Sequence, residues 1–80
     1  MQIQEVLRQL DELFATNQIQ EAEQFLTEAL MQAKEEESQK KSSGEEVLIL
    51  LNELTGYYRS VGRHEEAVQN AREALEQIRK

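Results

Sequence analysis

The 80-residue chain contains no cysteine, no proline and no tryptophan, and it has only three glycines. Without cysteine it has no disulfide and no thiolate ligand for zinc, so a domain this small depends on regular packing, a partner or further repeats. The scarcity of residues that break helices, together with abundant Leu, Ala, Glu and Gln, predicts an all-α fold and argues against strands.

Basic residues are also scarce. The chain has nine Lys and Arg but sixteen Asp and Glu, which gives a net charge of -7. This charge repels nucleic-acid phosphates and anionic lipid headgroups. No apolar run is long enough to span a membrane, and the first residues lack the basic patch and apolar core of a signal peptide. We therefore expect neither nucleic acid nor membrane as a partner. The lack of cysteine fits the cytoplasmic location that we expect.

Groups that could perform catalysis or hold a metal are few. His64 is the only histidine, so a zinc site would need several carboxylates around it. Ser42 and Ser43 have no histidine nearby in sequence to act as a base. The run Glu35 to Glu37 lacks the alternating ligands and central glycine of a calcium loop. We expect no bound metal, no cofactor and no catalytic activity.

Four apolar stripes repeat at the period of an α-helix, about 3.6 residues. They cover residues 3–14, 19–33, 47–61 and 67–78. Asn17 and Gly62 follow the first and third stripes, where both residue types tolerate the left-handed backbone that ends a helix. The pattern therefore predicts four helices arranged as two antiparallel hairpins.

The region between the hairpins has no apolar residue from Lys34 to Ser43. We expect this charged stretch to continue the second helix into solvent without packing. Ser43 stands three residues before Glu46, just ahead of an apolar run, and this spacing is typical of a capping box. It predicts that the third helix starts at this point.

The third stripe is the densest in the chain, which predicts that the third helix lies at the centre of the fold. Leu51 and Leu54 belong to this stripe, so we expect both to be buried. Tyr58 is also expected in the core. Tyr57 points in another direction on the helix, and either packing against a neighbouring helix or exposure at an interface suits it.

The two hairpins share a pattern of residues. Ala67 follows Ala22 by 45 positions. The matching runs are Asn17-x4-Ala22-x3-Leu26-x2-Ala29-Leu30 and Gly62-x4-Ala67-x3-Ala71-x2-Ala74-Leu75. With Leu51-x2-Leu54-Thr55-x2-Tyr58 before its turn, the second hairpin resembles a tetratricopeptide repeat. Gln9 and Leu10 depart from that pattern in the first hairpin.

The spacing between the repeats exceeds the usual tetratricopeptide period of about 34 residues. It resembles the long-period subclass found in kinesin light chains, in which the second helix of each repeat is extended. The resemblance implies one domain over residues 1–80 that forms a fragment of an α-solenoid. Its repeats cover about 3–41 and 44–80. At His64 the family usually has an aromatic side chain packed between helices, and we expect His64 to pack in this way.

The resemblance further implies a protein–protein interaction module that binds a peptide or partner helix on a concave face. The first helix of each hairpin would line this face. The implied binding residues are Leu7, Arg8, Asp11, Ile49, Asn52, Glu53 and Arg59, with Gln4, Phe14 and Gly56 on the same face. Asn52 and Arg59 are the leading candidates, because an amide can bind a peptide backbone and a guanidinium can bind a carboxylate.

An alternative function is self-association, because the last helix has apolar residues on its outer side. The chain would then be a structural oligomerisation domain. It could form a homodimer through this helix or by an exchange of hairpins, or it could belong to a longer repeat array. The residues expected to mediate self-association are Val68, Ala71, Leu75 and Ile78.

Overall fold

The computed structural model describes residues 2–41 and 44–79, of which 86% are helical and none is in a strand. The helices are α1 (Ile3–Ala15), α2 (Ile19–Ser38), α3 (Glu45–Ser60) and α4 (His64–Arg79). Each helix packs against the next one along the chain. The predicted all-α fold of two helical hairpins is confirmed. Within the described residues, no helix combines the length and apolar character needed to cross a membrane.

The two hairpins turn with the same backbone geometry. Asn17 and Gly62 both have a positive φ, of 61° and 79°. In each turn the N–H of the following residue donates to a carbonyl in the last turn of the preceding helix. The acceptors are the carbonyls of Leu13 and Tyr58, each at 2.8 Å. This geometry satisfies carbonyls at the helix end, and it confirms both predicted turns.

α3 lies at the centre of the core, as its dense stripe predicts. Its buried residues include Leu51 and Leu54, whereas the only fully buried residue of α1 is Leu10. The core is one hydrophobic cluster, made of Leu10, Ala22, Leu26, Ala29, Leu30, Ala33, Val47, Leu50, Leu51, Leu54, Tyr57, Tyr58, Ala67 and Ala74. Because α2 and α4 both pack on α3, side chains are covered on two sides of this helix.

The charged end of α2 packs more closely than its composition suggests. Lys34 Nζ lies 3.0 Å from Glu73 Oε2 on α4, and the Gln77 side chain donates a hydrogen bond to Glu37. The expectation that this stretch extends into solvent without packing is therefore wrong for its helical part. Long polar side chains reach the neighbouring helix even though the segment has no apolar residue.

The start of α3 differs from the predicted capping box. Its N-cap is Gly44, which has a φ of 88° and makes no side-chain capping hydrogen bond. Ser43 and its neighbour Ser42 lie outside the described residues. Glu46 Oε2 is buried and accepts no hydrogen bond from the described part of the chain. α3 therefore begins where predicted, but a left-handed glycine occupies the N-cap instead of a serine.

Candidate protein-binding surface

A shallow depression of about 320 Å³ lies between α1 and α3. Phe14 on α1 forms one wall, and the other lining residues are Asn52, Glu53, Gly56, Tyr57 and Ser60 on α3. The exposed Phe14 ring contacts the buried Tyr57 ring with centroids 6.2 Å apart. A Cβ at Gly56 would meet nothing within 4 Å, so the space above this glycine is open. The depression can accept an apolar side chain on the exposed Phe14 ring.

Two polar side chains border the open space above Gly56. Asn52 and Glu53 are exposed, and neither makes a side-chain hydrogen bond or ion pair with any residue that the structure describes. The Asn52 amide has donors and an acceptor available for a peptide backbone. The Glu53 carboxylate adds a negative charge that can bind a basic side chain.

Beneath this surface, Glu23 of α2 connects the two hairpins. Tyr57 Oη donates to Glu23 Oε1 at 3.1 Å, and Tyr58 Oη donates to Oε2 at 3.3 Å. Arg63 Nη1 donates to both oxygens at 2.8 Å, and its guanidinium carbon lies 4.7 Å from the centroid of the Tyr58 ring. The network holds α2 against α3 and against the turn before α4, and it supports one wall of the depression.

Burial and Glu23 perturb the two tyrosines of this network. Burial raises the pKa of the Tyr57 hydroxyl, and the hydrogen bond to the Glu23 carboxylate raises it further. Burial and the negative charge of Glu23 likewise raise the pKa of Tyr58. Both hydroxyls therefore stay protonated and remain donors near neutral pH. Tyr58 lies in the core as predicted, and Tyr57 packs against neighbouring helices.

The predicted binding residues lie in three different places. Asn52 and Glu53 share the depression with Phe14. Arg8 is held on α1 itself by hydrogen bonds to Glu5 and Glu12. The hydrogen bond from Arg8 lowers the pKa of the Glu5 carboxyl to about 2, and Gln9 adds to this shift. Gly56 also lines the depression. The remaining residues along these helices are Leu7 and Ile49, which are partly buried, and Gln4 and Asp11, which are exposed.

Arg59 lines a separate groove between α3 and α4. Other residues of this groove are His64, Ala67, Val68, Ala71, Arg72 and Leu75. His64 is exposed, so the expectation that it packs between helices is wrong. The turn makes His64 the first residue of α4, where its side chain lies at the edge of the groove instead of beneath it.

The predicted self-association residues form one strip along α4. We call Val68, Ala71, Leu75 and Ile78 the α4 seam. Ala71 is half-buried, and the other three side chains are exposed. The structure therefore confirms that the outer stripe of α4 faces solvent. This strip shares no residue with the lining of the depression.

Sequence reasoning missed Glu23 and Arg63. The contact joins residues 40 positions apart, and neither position breaks the apolar pattern around it. The described residues contain no group of three or more His, Asp or Glu side chains that could hold a metal ion. A scan against protein-family models, a search of curated proteins and a search of solved structures each found no match.

Proposed function

We propose that the chain is a tetratricopeptide-like protein–protein interaction module that acts without catalysis and binds a short peptide or partner helix between α1 and α3. The observation that carries this proposal is the depression that joins the exposed Phe14 ring, the open space above Gly56 and the unpaired amide of Asn52. The cytoplasm is the proposed location, and it rests on composition alone.

The chemistry of the depression defines the partner. Phe14 contacts an apolar side chain of the partner, and Asn52 binds its backbone through a donor and an acceptor. Glu53, on a chain of net charge -7, favours a Lys or Arg next to that apolar residue. The proposed ligand is therefore a segment in which an apolar or aromatic residue neighbours a basic one.

Peptide selection followed by titration tests this function. A random peptide library is selected on the immobilised chain, and the affinity of the selected peptides is measured by fluorescence anisotropy. Gly56→Leu fills the open space, so we expect it to weaken the selected peptides by at least about tenfold. Gln20→Leu places the same side chain at an exposed position of α2 and serves as the matched control.

Three results would reject the proposal. The selection could give no binder, the binders could lack the apolar and basic pair, or Gly56→Leu could bind them as tightly as Gln20→Leu. Circular dichroism of both variants shows whether the helices are retained. A leucine at Gly56 removes no buried contact, so a loss of affinity in a folded variant comes from the filled depression.

A further inference from the structure

The internal repeat matches residues of the α4 seam to buried positions of α2. Leu30 and Ala33 of α2 are 8% and 0% exposed. The residues 45 positions later, Leu75 and Ile78 of α4, are 55% and 65% exposed. α3 packs on α2, whereas no described helix follows α4. The same positions of the repeat are thus buried in α2 and exposed in α4. Exposed apolar strips of this kind mark sites of association.

The α4 seam has the spacing of a helix that packs against another helix. Its residues follow one another at intervals of three, four and three, as the core positions of a two-helix coiled coil do. The seam is also symmetric about Glu73. In a second α4 that runs antiparallel about this centre, Val68 lies opposite Ile78, and Ala71 lies opposite Leu75. One antiparallel copy therefore covers the whole seam.

The charges beside the α4 seam have the same symmetry. One flank of the helix, within a sector of about 60°, carries Glu65, Arg72, Glu76 and Arg79. Antiparallel pairing about Glu73 places Glu65 next to Arg79 of the second copy and Arg72 next to its Glu76. Arg72 also lies beside Arg72 of the second copy at the axis, but four pairs of opposite charge outweigh this one pair of like charge, so the row is largely complementary to its own reverse.

These four side chains are available for such pairing. None of them forms an ion pair within the described residues. Arg8 and Arg63 differ, because Arg8 is paired with Glu5 and Glu12, and Arg63 with Glu23 and Glu66. Arg59 on α3 forms no ion pair with a described residue. Unpaired charges of both signs thus lie along the one helix that also has an uncovered apolar seam.

We propose that the α4 seam is a homodimer interface in which a second copy of this chain packs its α4 antiparallel, with a two-fold axis at Glu73. In a two-fold interface each contact occurs twice. The apolar layers are therefore two Val68–Ile78 and two Ala71–Leu75 contacts between copies. Two Glu65–Arg79 and two Arg72–Glu76 pairs flank them. A parallel pair would place this charged flank of the two copies on opposite sides of the interface, so these four pairs would not form.

Sedimentation velocity at micromolar concentrations of the full chain measures the dimer. We expect the unmutated chain to dimerise reversibly, and Leu75→Glu to weaken dimerisation by at least about tenfold, because it places a carboxylate in the seam. Met31→Glu is the matched control, since Met31 is 70% exposed on α2 and lies outside the seam. A monomeric unmutated chain, or a dimer that Leu75→Glu leaves intact, overturns the proposal.

A charge exchange tests the antiparallel register. Arg72→Glu places like charges side by side across the axis and should weaken the dimer. Adding Glu76→Arg exchanges both charges and should restore it, because each pair again has opposite signs. A dimer insensitive to Arg72→Glu, or a double variant that stays weak, contradicts this register. The seam lies away from Phe14 and Asn52, so peptide binding in the depression succeeds or fails independently of these results.

Discussion

The two hairpins have the same turn but bury very different amounts of their first helices. Asn17 and Gly62 end α1 and α3 with matching left-handed geometry and matching hydrogen bonds. Even so, α1 buries Leu10 alone, whereas α3 buries six residues. The difference follows from position in the stack, because α3 has packed helices on two sides and α1 packs mainly on α2. A local motif sets the turn, and the neighbouring helices set the burial.

The largest expected effect comes from placing a charge in the more buried of these two helices. Leu54→Asp puts an unpaired carboxylate into the centre of α3, at a cost of several kcal/mol out of a total stability of about 5–15 kcal/mol. We expect this variant to be unfolded, and Leu51→Asp likewise. Leu13→Asp in α1 should remain folded, since Leu13 is only partly buried. Urea titration followed by circular dichroism measures the difference, and equal losses would refute the comparison.

The next effect concerns the connection between the hairpins. Glu23→Ala removes the acceptor shared by Tyr57, Tyr58 and Arg63, and we expect a loss of about 1–2 kcal/mol. Glu28→Ala on the same helix removes only an exposed contact with Gln24 and should change stability by less than about 0.5 kcal/mol. Chemical denaturation of both variants provides the measurement. A similar loss in the two would mean that the network does not stabilise the stack.

The two turns should respond in opposite directions to substitution. Gly62→Ala forces a Cβ into a left-handed backbone and should destabilise the chain by about 1 kcal/mol. Asn17→Gly relieves the same constraint in the first hairpin and should cost little or stabilise slightly. Melting temperatures of the two variants test the shared geometry. If Asn17→Gly destabilises as much as Gly62→Ala, the turns are not equivalent.

The smallest expected effect is a pH dependence of the α2–α3 contact. Burial and Glu23 raise the pKa values of Tyr57 and Tyr58 above their ordinary value of 10.0, so the folded state holds these protons more tightly than the unfolded state. Their contribution is fully present below pH 10 and is lost as pH rises through the folded pKa. Denaturation above pH 10 should show this loss, and the Tyr57→Phe, Tyr58→Phe double variant should reduce it. If the double variant loses stability above pH 10 as steeply as the unmutated chain does, the two tyrosines are not the cause of this pH dependence.

Local patterns predict the helices and the turns of this chain. Asn17 and Gly62 end helices because of their own backbone preferences, and the positions of Leu51 and Leu54 follow from the period of the apolar stripe. The same reasoning predicts the apolar stripe of α4. Among the binding residues that the resemblance to a tetratricopeptide repeat implies, Asn52 and Glu53 lie beside Phe14 in the structure.

Contacts between side chains distant in sequence leave no comparable pattern. The pairing of Lys34 with Glu73 and the convergence on Glu23 each join residues about forty positions apart. The resemblance implies that His64 packs between helices, but it lies exposed, because the turn geometry decides where the first residue of α4 points.

By itself, the sequence of this chain determines the helices, their ends and the apolar side of each one, because backbone preference and residue spacing act within a few residues. Only the tertiary structure decides which apolar stripes are covered. Leu30 and Leu75 hold matching positions in the repeat, yet Leu30 is buried in the core and Leu75 is exposed on α4. Burial depends on the arrangement of neighbouring helices in space, and the periodicity of a single helix carries no information about its neighbours.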